Sequence, residues 1–350
     1  MAIDVIKDEN FDFEIPKNNG IYNAFVKCKS VLDKHTNIKV SVSGGADSDI
    51  MIDMIEKCKA PHNNIHYVWW NTGLEYQATK EHFEYLEQKY GITIERIKPK
   101  YTIPAAIKKF GQPFVSKRAS DYISRLQRHK FEWEEGDLNE LLNKYGKVKT
   151  ALSWWLNAYG EDSQFNIKKR SWLKEFMLEN KPNFNISSKC CDYVKKNTSH
   201  EYIKEHNIDL DCYGVRKAEG GVRATGHKNC YTACTPDEIA SFRPIFYISD
   251  ADKKVYNKFY NIKNSRCYTE YGLRRTGCVG CPFAKDFRDE LEVVDKFEPK
   301  LGVAVRNIFK DAYEYQNKYF DYVEEKNKQY GNYKAFLRLQ KEQEENNGEK

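Results

Sequence analysis

Ile38-Lys39-Val40-Ser41-Val42 runs directly into Ser43-Gly44-Gly45-Ala46-Asp47-Ser48, and apolar residues then recur at helical spacing from Ile50 to Ile55. The first five residues alternate apolar and polar, as a strand does, and the change of period after the glycines marks a helix. A strand, a tight loop and a helix in succession bring unpaired backbone N–H groups to a helix start, where an anion is favoured. Gly44 and Gly45 permit positive φ and close approach, and Ser43 and Ser48 add hydroxyl donors. Asp47 is out of place beside phosphates unless it orders the loop or helps to hold Mg²⁺. The loop lacks the Lys-Ser/Thr pair of a kinase-type phosphate loop, which points away from γ-phosphoryl transfer. The expected ligand is a phosphate or pyrophosphate group held by this loop.

Outward from this loop the pattern repeats. Ile65 to Trp70 reads as a second strand ending in Asn71-Thr72-Gly73; Tyr76 to Tyr90 reads as an amphipathic helix stopped by Gly91; Thr93 to Ile97 reads as a third strand. Alternation at this spacing predicts an α/β fold, a parallel sheet flanked by helices. From about Ile103 to Asn180 the sequence turns mainly helical, and Trp154, Trp155 and Trp172 are read as helix packing rather than as a platform for bases. A cysteine-rich stretch follows from Cys190 to Cys281, and Tyr313 to Lys350 is helical in pattern with a frayed end. The expected organisation is residues 1–100 as the first part of the α/β core, 101–185 as a helical insertion, 186–290 as the rest of the core with the cysteines, and 291–350 as a helical extension.

At 350 residues the chain buries a full core, which excludes a small disulfide-stapled module. Charged residues make up 31% and the net charge is +6, so the surface is mildly basic and permits a nucleic-acid partner without demanding one. The N-terminus has no basic start followed by an apolar run, and no apolar stretch approaches a membrane span. A soluble, cytoplasmic protein with no membrane partner is expected. In a reducing compartment its ten cysteines point to metal or redox chemistry before disulfides.

The loop Ser43 to Ser48 resembles the adenine nucleotide α-hydrolase superfamily, which includes the N-type ATP pyrophosphatases and the phosphoadenosine phosphosulfate (PAPS) reductase family. Asn71-Thr72-Gly73 is similar to the Asp/Asn-Thr-Gly element of the PAPS reductase branch. Gly214-Val215-Arg216-Lys217-Ala218-Glu219 with Arg223 resembles that branch's Gly-Ile/Val-Arg, Glu and Arg element, whose basic groups suit phosphate or sulfate oxygens, and Arg243-Pro244-Ile245 also fits. Gly220 departs from the pattern where many relatives have Ser. The resemblance covers roughly Ile38 to Phe283. It implies attack at an α-phosphate or reduction of a sulfonucleotide, with Asp47, Arg216 and Arg223 in catalysis, and with Ser43, Gly44, Gly45, Asp47, Ser48, Asn71, Thr72, Gly73, Arg216 and Glu219 holding the nucleotide.

Cys278-Val279-Gly280-Cys281 is a short turn able to aim two thiolates at one metal, and Arg274 and Arg275 nearby favour thiolates. The resemblance to iron-sulfur sulfonucleotide reductases implies a four-iron, four-sulfur cluster on Cys190, Cys191, Cys278 and Cys281, with Cys267 a substitute for one ligand and zinc the alternative metal. If Asn229 to Cys234 is helical, Cys230 and Cys234 stand one turn apart near His227, as a zinc site, a persulfide relay or plain thiols. Cys28, Cys58 and Cys212 are read as buried small side chains.

No cysteine follows Cys281, whereas a PAPS reductase normally carries its nucleophile in a C-terminal tail; this and the intact loop favour ATP over PAPS. The leading expectation is an ATP-dependent adenylating sulfur-transfer enzyme that releases pyrophosphate, with tRNA, DNA or a small metabolite as acceptor and a cysteine desulfurase as sulfur donor. A PAPS or APS reductase working with a thioredoxin-like partner, and a noncatalytic nucleotide sensor, are the alternatives.

Overall fold

The computed structural model describes residues 3–220, 225–284 and 286–337. Two compact units are present: Met1–Thr102 with Tyr193–Val279 and Lys296–Glu298 form the first, and Ile103–Asp192 with Gly280–Asp295 and Pro299–Lys350 form the second.

The first unit is built on a six-stranded sheet. Its strands are β3 (Asn37–Ser41), β4 (Asn64–Trp70), β5 (Ile94–Ile97), β6 (Leu210–Tyr213), β7 (Tyr231–Thr232) and β8 (Ala240–Phe242); β1 (Val5–Ile6) and β2 (Ile15–Pro16) form a separate antiparallel pair. The order across the sheet is β5-β4-β3-β6-β8-β7, all neighbours parallel except β7, which runs antiparallel to β8. The predicted parallel sheet flanked by helices is present. The chain leaves β3 toward β4 and β5 on one side and returns to β6 on the other, so the topology reverses between β3 and β6. In sheets of this kind ligands sit outside the carboxyl ends of the strands at that reversal.

The core gathers Ile38, Val40, Ile50, Ile52, Leu210, Cys212 and Phe242, all fully buried, with Phe25 and Leu32 of helix Asn19–Leu32. Cys28, Cys58 and Cys212 are buried as read from the sequence. Helix Gln77–Tyr90 ends where Gly91 adopts φ +63, the left-handed stop its residue type allows. Lys39, whose alternation opposes that of Ile38 and Val40, is also fully buried: its Nζ lies 3.1 Å from Asp211, its register partner across β3 and β6, and 5.4 Å from the ring centre of Trp70.

The second unit is helical, with helices Ile103–Phe110, Lys117–Arg128, Leu138–Tyr145, Lys149–Trp155, Leu173–Glu179, Phe287–Phe297, Pro299–Ile308 and Lys310–Tyr330. Trp154, Trp155 and Trp172 are at most 2% exposed, which confirms packing as their role. The final ten or so residues, expected to fray, lie outside the described residues. No helix among the described residues is long and apolar enough to cross a membrane.

Candidate functional site

The loop Ser43–Ser48 occupies the carboxyl end of β3 and opens helix Ala46–Cys58, with Gly45 as its N-cap. Gly44 has φ +65, and a Cβ there would approach Thr79 Cγ2 to 2.6 Å, so both conformation and space require glycine. The serines brace the turn: Ser43 N–H donates to Ser48 Oγ at 3.2 Å and Gly45 N–H to Ser43 Oγ at 3.3 Å. Tyr268 Oη accepts from Ala46 N–H at 3.2 Å, tying the helix start to a residue more than two hundred positions away.

Across the topological reversal, the segment leaving β6 passes close to this helix start; a Cβ on Gly214 would stand 3.4 Å from Ser48 N. Two residues later Arg216 turns its guanidinium onto the loop. Its Nε donates to Asp47 Oδ1 at 3.0 Å, and its Nη1 donates to Asp250 at 2.8 Å and to the Ile248 carbonyl at 3.2 Å. Lys253 Nζ reaches the same Asp47 oxygen at 2.5 Å. Burial works against the charge of Arg216, and Asp47 and Asp250 outweigh it, holding the guanidinium above its ordinary pKa. Asp47 thus has an ordering role: it gathers two cations from distant elements at the mouth of the loop. Both contacts fall on the single oxygen Oδ1.

Glu219 accepts from the Arg216 backbone N–H at 3.1 Å and caps the turn Lys217–Glu219. Arg223 lies outside the described residues. At the end of β4, Thr72 donates to Glu75 Oε1 from both N (3.0 Å) and Oγ1 (2.5 Å), and Gly73 N–H donates to Asn71 Oδ1 at 3.1 Å. The same Thr72 hydroxyl is 3.7 Å from Cys278 Sγ, and Val279 N–H donates to the Leu74 carbonyl at 2.8 Å. Asn71-Thr72-Gly73 and Cys278 therefore meet.

The cysteines expected at a cluster divide between the units: Cys267 and Cys278 belong to the first, and Cys190, Cys191 and Cys281 to the second. Among the described residues no three His, Cys, Asp or Glu side chains gather as a metal site. Cys267 is fully buried with its Sγ 3.5 Å from Thr79 Oγ1, and burial raises its thiol pKa against the opposing pull of Thr79 and Ser265. That surrounding favours the neutral thiol. Cys230 and Cys234 do not lie on a helix: Tyr231–Thr232 is the edge strand β7, so the one-turn spacing is not realised.

Sequence reading missed Lys253, Asp250, Tyr268 and Glu75. It also missed a fully internal contact beneath the loop, where Asp49 Oδ1 lies 3.0 Å from His82 Nε2, both almost completely buried. The pair is close enough for electrostatic attraction but off-line for a hydrogen bond, and Asp49 Oδ1 and His82 Nε2 both lack such a partner. Burial pushes the Asp49 carboxyl pKa up, and His82 pulls it down by less.

A parallel sheet with a glycine loop at its reversal point places the first unit in the broad class of flanked α/β folds. Residues 37–149 match the family model described as phosphoadenosine phosphosulfate reductase domain, the family that the chain's motifs resemble. An uncharacterized protein of Methanocaldococcus jannaschii is 24% identical over 329 residues; the match covers 89% of this chain and 50% of the relative, so the chain spans about half the length of that curated relative. Among solved structures, the phosphoadenylyl-sulfate reductase of Candida auris in a phosphate complex overlaps with a TM-score of 0.39 at 14% identity, covering 75% of this chain and 97% of that one. The U34-tRNA thiolase NcsA of Methanococcus maripaludis, with its four-iron, four-sulfur cluster, overlaps with a TM-score of 0.37 at 13% identity, covering 89% and 84%. Both overlaps are loose.

Proposed function

We propose that the chain is an ATP-dependent adenylating sulfur-transfer enzyme. The observation that carries this reading is the intact Ser43–Ser48 loop at the reversal between β3 and β6, with Arg216 and Lys253 drawn onto Asp47 at its mouth. Backbone N–H groups at the helix start receive the phosphates, and Arg216 and Lys253 turn toward phosphate oxygens as negative charge arrives. Arg223 is proposed as a further cation at the phosphates. An acceptor oxygen attacks the α-phosphorus; the bond to the bridging oxygen breaks and pyrophosphate leaves. The terminal sulfur of a cysteine persulfide, supplied by a desulfurase-type partner, then attacks the carbon bearing that oxygen and AMP departs with it. A thiol reductant cleaves the resulting disulfide.

The iron-sulfur cluster implied by the motifs is proposed on donor chemistry alone. Cys190, Cys191, Cys278 and Cys281 would hold it, and no step above passes through it. Iron and acid-labile sulfide in anaerobically purified protein, lost in Cys278→Ser, test it; zinc in their place overturns it.

The family match supports a second reading, reduction of a sulfonucleotide by the same site. Calorimetric titration of the full chain with ATP and with PAPS, followed by assay for pyrophosphate release, separates the two. Magnesium-dependent preference for ATP with pyrophosphate release sustains adenylation. Preference for PAPS without pyrophosphate release replaces it with the reductase, and tight ATP binding without turnover replaces it with a nucleotide sensor.

A further inference from the structure

The helical second unit carries a charged concave surface that the nucleotide loop does not account for. Helix Lys117–Arg128 spaces Arg118, Asp121, Arg125 and Arg128 three and four residues apart, which sets all four on one face. Beside that face is a cavity of about 580 Å³ lined by Arg125, Arg128, His129, Lys147 and Lys189, with Asp121 its one carboxylate. Asp121 holds Arg125 at 2.8 Å and Thr150 Oγ1 accepts from the same guanidinium at 3.2 Å, so Arg125 is preset while the lining keeps a net positive charge. His129 presents Nδ1 to the Tyr145 carbonyl at 2.7 Å, which fixes the proton on that nitrogen.

Two exposed aromatic rings stand beside this cavity. Tyr159 and Phe165 are 37% and 41% exposed, and their centroids are 5.9 Å apart. Tyr159 Oη donates to the carbonyl of Thr150, a cavity residue, at 3.0 Å. Arg118, from the basic helix face, lies 4.4 Å from the Phe165 ring centre and donates to the Gln164 carbonyl at 3.2 Å. Cations that follow a backbone, joined to exposed aromatic rings, are the two elements of single-strand recognition. A free inorganic anion leaves the rings without purpose, and a duplex hides the faces of its bases.

We propose that this surface binds single-stranded nucleic acid, its phosphates on Arg125, Arg128 and Lys147 and a base on Phe165 and Tyr159. The proposal adds an acceptor class to the adenylation reading but does not depend on it, and it is tested without nucleotide so that the two can fail separately. Fluorescence anisotropy of the full chain is measured with fluorescein-labelled 12-mers: one single-stranded RNA, the DNA of the same sequence, and the DNA duplex. Either single strand binding more tightly than the duplex supports the assignment, and preference between the two names the sugar. Arg128→Ala with Lys147→Ala, both at exposed positions, is expected to weaken binding by about tenfold or more and to flatten the dependence of log K on log salt by about 1.4, two phosphates at about 0.7 each. Phe165→Ala is expected to weaken binding about 5- to 100-fold with the salt slope unchanged. Thermal melting confirms that both variants fold. Wild-type affinity in both variants, tighter binding of the duplex, or displacement by inorganic polyphosphate at equal phosphate concentration with Phe165→Ala silent would each overturn the proposal.

Discussion

The loop after β3 and the cavity beside helix Lys117–Arg128 both offer cations to anions, yet they hold those cations in opposite ways. At the loop, Arg216 is buried and shared between Asp47 and Asp250, and Lys253 closes on the same Asp47. In the helical unit, Arg128 and Lys147 are exposed, and Asp121 is the one carboxylate among the lining residues. A matched, buried cation fixes the shape of a loop and must exchange a carboxylate for a phosphate to bind. An exposed cation binds at once, at an affinity that salt controls. The first arrangement suits selection of one small ligand, the second capture of a long polyanion.

The comparison breaks most visibly where a matched charge is removed. Lys39→Met leaves Asp211 without its cation inside the sheet and is expected to cost about 3–5 kcal/mol at neutral pH, read from urea unfolding. Burial already raises the Asp211 pKa, with Lys39 opposing it, so the folded state of the variant holds a proton more readily than the unfolded chain. Its deficit should therefore shrink as pH falls toward 4; an equal deficit at both pH values would show that Lys39 acts through packing alone. Asp47→Asn is expected to lower pyrophosphate release by about 10²–10³-fold, since it frees Arg216 and Lys253 from their common anchor. Unchanged turnover would remove the loop from the proposed chemistry.

Smaller effects sharpen the contrast. Gly44→Ala forces a side chain into φ +65 against Thr79 and should cost about 1–3 kcal/mol of stability together with measurable loss of ATP affinity in calorimetry. Asp49→Asn removes a buried carboxylate whose pKa burial has raised. A raised folded pKa means that charge on Asp49 costs stability as pH rises through that value, so the variant should melt higher than wild type at pH 7 and equal to it near about pH 3, below the ordinary carboxylate pKa of about 3.9. A lower melting temperature at pH 7 would instead show that attraction to His82 outweighs burial.

Local signals made the framework legible. The alternation of Ile38 to Val42, the glycines after it and the stop at Gly91 each depend on neighbours within a few residues, and the structure places a strand, loop and helix there. The partners of Asp47 were half legible. Arg216 lies in a recognisable motif, whereas Lys253 and Asp250 sit on a helix whose sequence announces only its Ser249–Asp252 capping box, not the direction it faces. Tyr268 carries no signal at all, because its role arises from the path of the chain more than two hundred residues beyond Ala46. The segment around Cys230 misled for a related reason: Tyr231 and Thr232 pair with Phe242 and Ser241, and that long-range pairing overrides the spacing of the two thiols.

The central position of β3 sets a schedule for biosynthesis. Its neighbour β6 lies far along the chain, with Asn37 bonded to Asp209 across a separation of 172 residues. At roughly 5–20 residues per second, a ribosome needs about 10–30 seconds to supply that second edge. Throughout this interval β3 is an unfinished border with a lysine set into it. An opportunistic strand that lacks a carboxylate opposite Lys39 would have to enclose a bare ammonium group, so the pair that later locks the sheet also screens what is allowed to join it.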